Sequence, residues 1–165
     1  MIIKRGVNME IKENQELIME NVLSFRGKVT QQQMQKEMMK IGQVLQKLGV
    51  QKNGSITTAT YSVEEVYGEQ LMDIEILVPL DKQVNLPKEY TLKPIIKIMN
   101  ALFIRHEGHP GRLHETINRL NDYIFEYKKQ VITATYNVTV KDAMNQEELE
   151  KMIIDVYVGC NPCIM

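Results

Sequence analysis

Two stretches of the chain carry the same order of apolar and polar positions. An apolar run, Val22-Leu23-Ser24-Phe25-Arg26, leads into a segment where Met34, Met38, Ile41, Leu45 and Leu48 recur at steps of four and three, one face of a helix. A second run, Ala101-Leu102-Phe103-Ile104-Arg105, leads into Leu113, Ile117, Leu120, Ile124 and Tyr127, each 79 positions after its counterpart. An offset kept through a strand pattern and a helix pattern marks an internal repeat. Local chemistry supports both helices. Thr30 with Gln33 forms a capping box, Pro110 sits where a helix start tolerates a missing N–H, and Gly49 is placed to end the first helix.

Two strand patterns follow each helix pattern. Ser55 to Val63 and Val131 to Val138 share Ala-Thr-Tyr at an offset of 75, and Asp73 to Val78 matches Ile153 to Val158 at an offset of 80. The changes of offset fall in the connections, where insertions are tolerated, the hairpin loop from Lys141 to Glu150 being the longer of the two. The expected fold is therefore α+β: two tandem β-α-β-β units with pseudo-twofold symmetry, an antiparallel sheet with two long helices on one face. Residues 1–18 read as an N-terminal extension and 19–165 as the domain, with repeat 1 at about 19–79, an extended proline-bearing linker at about 80–94, and repeat 2 at about 95–160.

Strand alternation sorts the side chains into two faces. Leu23, Phe25, Ile74, Ile76 and Val78, with their counterparts Leu102, Ile104, Ile154, Val156 and Val158, form the set suited to the helix side. The other face carries Ser24, Arg26, Glu75 and Leu77 in one repeat and Phe103, Arg105, Asp155 and Tyr157 in the other. Thr58, Thr60 and Ser62, with Thr133, Thr135 and Asn137, are expected on that second face, and Tyr61 and Tyr136 on the core side with Ala59 and Ala134. Two carboxylates, two arginines, aromatic rings and hydroxyls make up a ligand cleft, in which Glu75, Asp155, Tyr157, Phe103, Arg26 and Arg105 are the candidate binding residues. A carboxylate beside rings suits a cation. The same composition fits a solvated sheet face, with Glu75–Arg26 and Asp155–Arg105 as surface ion pairs.

Charge and composition narrow the partners. The net charge of −1 and the lack of a basic block give no support to phosphate neutralisation, so no nucleic-acid partner is expected. No apolar run reaches the roughly 18–20 residues that span a bilayer, and the charged start lacks a signal-peptide core, so the expected location is cytoplasmic and no membrane association is expected. The stretch before the first run is too short for a helix-turn-helix module, which disfavours a transcription factor. The two cysteines, Cys160 and Cys163, are too few for a disulfide framework and read as ordinary thiols of a tail. His106, His109 and His114 lie at a strand-to-helix turn broken by Gly108 and Pro110, which is not a zinc motif. Neither a catalytic metal nor another cofactor is expected, and no catalytic residue is assigned.

The repeated β-α-β-β unit resembles the GyrI-like, or effector-binding, superfamily, built from two SHS2-type repeats. The resemblance covers roughly residues 19 to 160; Ile104-Arg105-His106-Glu107-Gly108-His109-Pro110 looks like its turn before the second helix, and Asp155-Val156-Tyr157-Val158 like its last strand. Asn21-Val22-Leu23-Ser24-Phe25 is similar to the opening of a stand-alone, uncharacterised subgroup from Gram-positive bacteria. The resemblance implies a hydrophobic, often cationic small molecule in a cleft between two halves, recognised by an acidic residue and aromatic rings. Some members of the subgroup lie near secreted-toxin genes, which implies instead a non-enzymatic accessory role. That reading points to a homodimer or a protein partner on the Met-rich helix, and exposure of Met39 would favour it. A third reading, hydrolysis of reactive small molecules by a carboxylate and a Tyr, needs a raised carboxylate pKa, for which the sequence shows no sign.

Overall fold

A computed structural model describes residues 10–163. The chain divides into two compact units. One comprises Ile18–Lys97, and the other comprises residues up to Leu17 together with those from Ile98 onward. The fold is α+β with antiparallel pairing: β1 (Lys12–Val29), α1 (Gln31–Leu48), β2 (Thr57–Val66), β3 (Glu69–Pro79), β4 (Thr91–Glu107), α2 (Leu113–Glu126), β5 (Val131–Lys141) and β6 (Ile153–Cys160). The order β-α-β-β thus occurs twice along the chain. The unit boundaries fall inside β1 and β4. Each of these long strands carries an asparagine with positive φ, Asn21 at 52° and Asn100 at 51°, the same 79 positions apart. Asparagine is among the few side chains that tolerate this left-handed backbone.

In the unit Ile18–Lys97, β3 pairs with both β1 and β2, Phe25 lying opposite Ile76 and Leu23 opposite Val78. Leu23, Ile74, Ile76 and Val78 form a core with Ile41 and Leu45 of α1, and Phe25, Met34 and Met38 pack against it. Leu48, expected on the same stripe, is partly exposed, and Val44 packs instead. Thr30 and Gln33 exchange the two bonds of the capping box, and Gly49 closes α1 in the left-handed conformation, φ 67°. The extended segment after β3 returns over this core. Val84, Leu86 and buried Tyr90 cover it, and the Tyr90 hydroxyl donates to Glu37 of α1 at 2.7 Å.

In the other unit β6 is the central strand of β4–β6–β5, and its core joins Leu102, Ile104, Ile154, Val156 and Val158 to Leu120 of α2. Tyr123 packs there, whereas Tyr127, expected on the stripe, follows the last residue of α2 and is exposed. Buried His106 bonds Thr116 of α2 through Nδ1 at 2.6 Å and the His109 carbonyl through Nε2 at 3.0 Å. The His109 ring accepts from the Gly111 N–H. This histidine-rich stretch is the stitching of a strand-to-helix turn.

Two expectations need correction. β1 begins at Lys12, ahead of the Val22–Arg26 run, because its charged residues alternate with Leu17 and Met19, which are buried. The middle strands face the opposite way from their expected sorting. Directly opposed residues of an antiparallel pair share a face. Thr58 and Thr60 oppose Ile76 and Ile74, and Thr135 and Asn137 oppose Val158 and Val156, so these polar residues lie on the helix-side face. Ala59 opposes Glu75, and Tyr136 opposes Tyr157. The phase of these positions is set by the partner strand, and the alternation of β2 breaks between Thr60 and Ser62, so that Ser62, opposite Asp73, does lie on the second face as expected.

Candidate functional site

The second face of the Ile18–Lys97 sheet holds a carboxylate taken almost wholly out of water. Glu75 is 4% exposed. It lies on β3, the central strand, with Arg26 opposite on β1 and Ala59 opposite on β2. Three side chains converge on it. The Ser24 hydroxyl and the Lys93 ammonium both donate to Oε2, and the Tyr61 hydroxyl donates to Oε1 at 3.1 Å. Burial alone would push this carboxyl up. The Lys93 ammonium and the Ser24 and Tyr61 hydroxyls together outweigh it and hold the group below the ordinary carboxylate value. Glu75 is therefore an anion at neutral pH.

Tyr61 shares the Glu75 face with Ala59, and the ladder breaks at this residue. Thr60 opposes Ile74 and Ser62 opposes Asp73, which leaves Tyr61 as the extra residue of a bulge. Its ring is 43% exposed at the residue level and lies under the Arg26 guanidinium, 3.6 Å from ring centroid to Cζ. Arg26 does not pair with Glu75. It grips Asp73 with two bonds, 2.9 and 3.1 Å, one step further along the same face. The expected Glu75–Arg26 ion pair is thus replaced by Glu75–Lys93. One row away, Thr57 opposes Leu77 on the Glu75 face, fully buried, and its hydroxyl oxygen has no hydrogen-bond partner.

The other candidate residues form a separate cluster in the second unit. Asp155 is 6% exposed and is held by Arg105 in a two-bond fork of 2.7 and 3.0 Å, the expected pair. Phe103 and Tyr157, opposed across β4 and β6, meet edge to face with centroids 5.1 Å apart. The Lys12 ammonium stands 5.8 Å from the Phe103 centroid. Burial, then the Asp155 charge, push the Tyr157 hydroxyl above its ordinary value. The six candidates therefore fall into two groups: Glu75 with Arg26, and Asp155 with Arg105, Phe103 and Tyr157. Sequence reasoning missed Ser24 as a direct partner of Glu75, Tyr61 on this face, and Lys93 altogether. Lys93 lay in the segment read as a linker, where nothing local ties it to Glu75.

A cavity of about 620 Å³ at the end of the second unit is lined by residues including Glu13, Tyr127, Lys129, Cys160 and Cys163, and by neither Glu75 nor Asp155. Within its wall Lys129 pairs with Glu13, and Lys128 lines it as well. Cys160 is buried, which pushes its thiol up and away from the reactive thiolate. Among the described residues no cluster of metal-ligating side chains occurs, and no helix is long and apolar enough to cross a membrane.

No protein-family model and no curated protein matches the chain. Solved structures do. EcmrR in its DNA complex matches with a TM-score of 0.73 and 17% identity over 93% of this chain, which spans 57% of the EcmrR chain. The isolated EcmrR C-terminal domain matches at 0.71 and 17% identity, over 93% of this chain and 97% of that one. An uncharacterised conserved protein from Listeria innocua matches at 0.63 and 11% identity, over 92% and 91%. At these identities the likeness is one of fold, and the fold is that of the EcmrR C-terminal domain.

Proposed function

We propose that this chain is a GyrI-like effector-binding domain that takes a hydrophobic, cationic small molecule at Glu75. The observation that carries this reading is the buried carboxylate kept charged by two hydroxyls and an ammonium. An isolated buried anion is costly, and a site that maintains one supplies a recognition charge for a guest that itself prefers to leave water. The Tyr61 ring beside it already stacks with one cation, the Arg26 guanidinium, and the unpartnered Thr57 hydroxyl one row away offers a hydrogen bond. Asp155 is the weaker candidate because its counter-ion is a two-bond guanidinium fork, whereas that of Glu75 is a single ammonium. A carboxyl held below its ordinary value suits ion pairing and is a poor proton donor, so Glu75 favours binding over acid catalysis.

The test is native mass spectrometry with a panel of lipophilic monocations. A one-to-one adduct is expected for the native chain and for Asp155→Asn, and is expected to be lost in Glu75→Gln. An adduct that survives Glu75→Gln contradicts the reading. A second reading, a protein-interaction role through α1, is favoured by one observation: Met39 is 69% exposed. Met39→Lys would break such a complex and leave the small-molecule adduct intact.

A further inference from the structure

We propose that Lys93 is a tethered competitor for the Glu75 site, an internal cation that a cationic ligand must displace, and so a residue that sets which cations bind. This rests on the reading of Glu75 as the recognising acid. Of the three groups bonded to Glu75, Ser24 is buried on β1 and Tyr61 lies at the bulge of β2. Lys93 differs from buried Ser24 in exposure and from Tyr61 in carrying a charge: its side chain is 40% exposed, while that of Glu75 is 5% exposed. Its ammonium is a point charge on a flexible four-carbon stem and swings into water by rotating single bonds. The Arg105–Asp155 pair shows the alternative. There a planar guanidinium holds both oxygens, and its release breaks two charge-assisted bonds at once.

Departure of Lys93 leaves a buried anion, which is unfavourable unless another cation arrives. Binding at Glu75 is thus an exchange of one positive charge for another, with nearly equal electrostatics on the two sides. What tips the exchange is the rest of the guest. Apolar surface removed from water, and contact with the Tyr61 ring, favour a bulky lipophilic monocation. A small hydrophilic ammonium gains neither and does not displace a tethered lysine. Lys93 in this way filters ligands by the apolar body they bring.

The experiment titrates rhodamine 6G, a fluorescent lipophilic monocation, by polarisation into the native chain, Lys93→Gln, Glu75→Gln and the double variant. Lys93→Gln keeps the stem and a polar head and removes the charge. It is expected to bind the dye about tenfold more tightly or better, the equivalent of about 1.4 kcal/mol, and both Glu75→Gln chains are expected not to bind. A second readout needs no variant: acetylation of Lys93 by acetic anhydride, followed by peptide mass spectrometry, is expected to speed up when the dye saturates the native chain. Unchanged or weaker binding by Lys93→Gln, with Lys93 no more reactive in the complex, overturns the competitor role. If Glu75→Gln abolishes binding in that case, the site reading stands without it. If Glu75→Gln binds the dye like the native chain, the site reading itself falls and the competitor role with it.

Discussion

At the scale of single residues, the chemistry turns on how Glu75 stays ionised in a place that should neutralise it. Burial works against the charge, and Lys93, Ser24 and Tyr61 restore it with an excess that holds the carboxyl below 4.5, its ordinary value. A folded-state pKa lower than the unfolded one means that the folded state binds this proton less readily. The stabilisation is therefore fully present above the ordinary value and is lost as pH falls through the folded one. Thermal melts taken from neutral pH down through the carboxylate range are expected to show a steeper loss of Tm for the native chain than for Glu75→Gln. Parallel acid limbs would contradict this. Glu75 and Asp155 were legible in the sequence because alternation alone puts them opposite the Ile and Val core positions of their strands. Tyr61 was not, because alternation groups it with Ala59 without saying which face the two take, and Lys93 was not, because its partner lies 18 positions away in another element.

At the scale of elements, local rules held where one segment contains all the groups involved. The Thr30–Gln33 box and the Gly49 cap are each complete within a few residues, and both were readable. Thr30→Ala removes the side-chain acceptor for the Gln33 N–H and is expected to cost about 1 kcal/mol. Urea unfolding should show a lower midpoint with an unchanged slope, and a midpoint equal to the native one would mean that the cap contributes nothing. Rules that need a second strand failed. The phase of β2 and β5 follows from their register on β3 and β6, where Ala59 meets Glu75 and Tyr136 meets Tyr157. A Thr-rich face looks polar in isolation, yet here it lies on the helix-side face with Ile and Val. The start of β1 was hidden because its exposed face is densely charged and its two buried residues, Leu17 and Met19, make too short a pattern.

At the scale of the molecule, a repeat offset of 79 was enough to predict the element order, since a periodicity shared by strand and helix fixes architecture more firmly than either alone. Each unit carries its own buried apolar cluster and its own buried, ion-paired carboxylate. The two carboxylates differ in their counter-ion, a single ammonium in one and a guanidinium fork in the other, and the proposal of a ligand at Glu75 rests on this difference. A fold shared with the EcmrR C-terminal domain accommodates that assignment without specifying it, because function resides in sites placed on folds. The most direct measurement is a crystal structure of the chain with rhodamine 6G. The account predicts the dye against the Tyr61 ring with its positive charge facing the Glu75 carboxylate. Dye seated in the cavity lined by Cys160 and Lys129, or against Asp155, with Glu75 untouched, would contradict it.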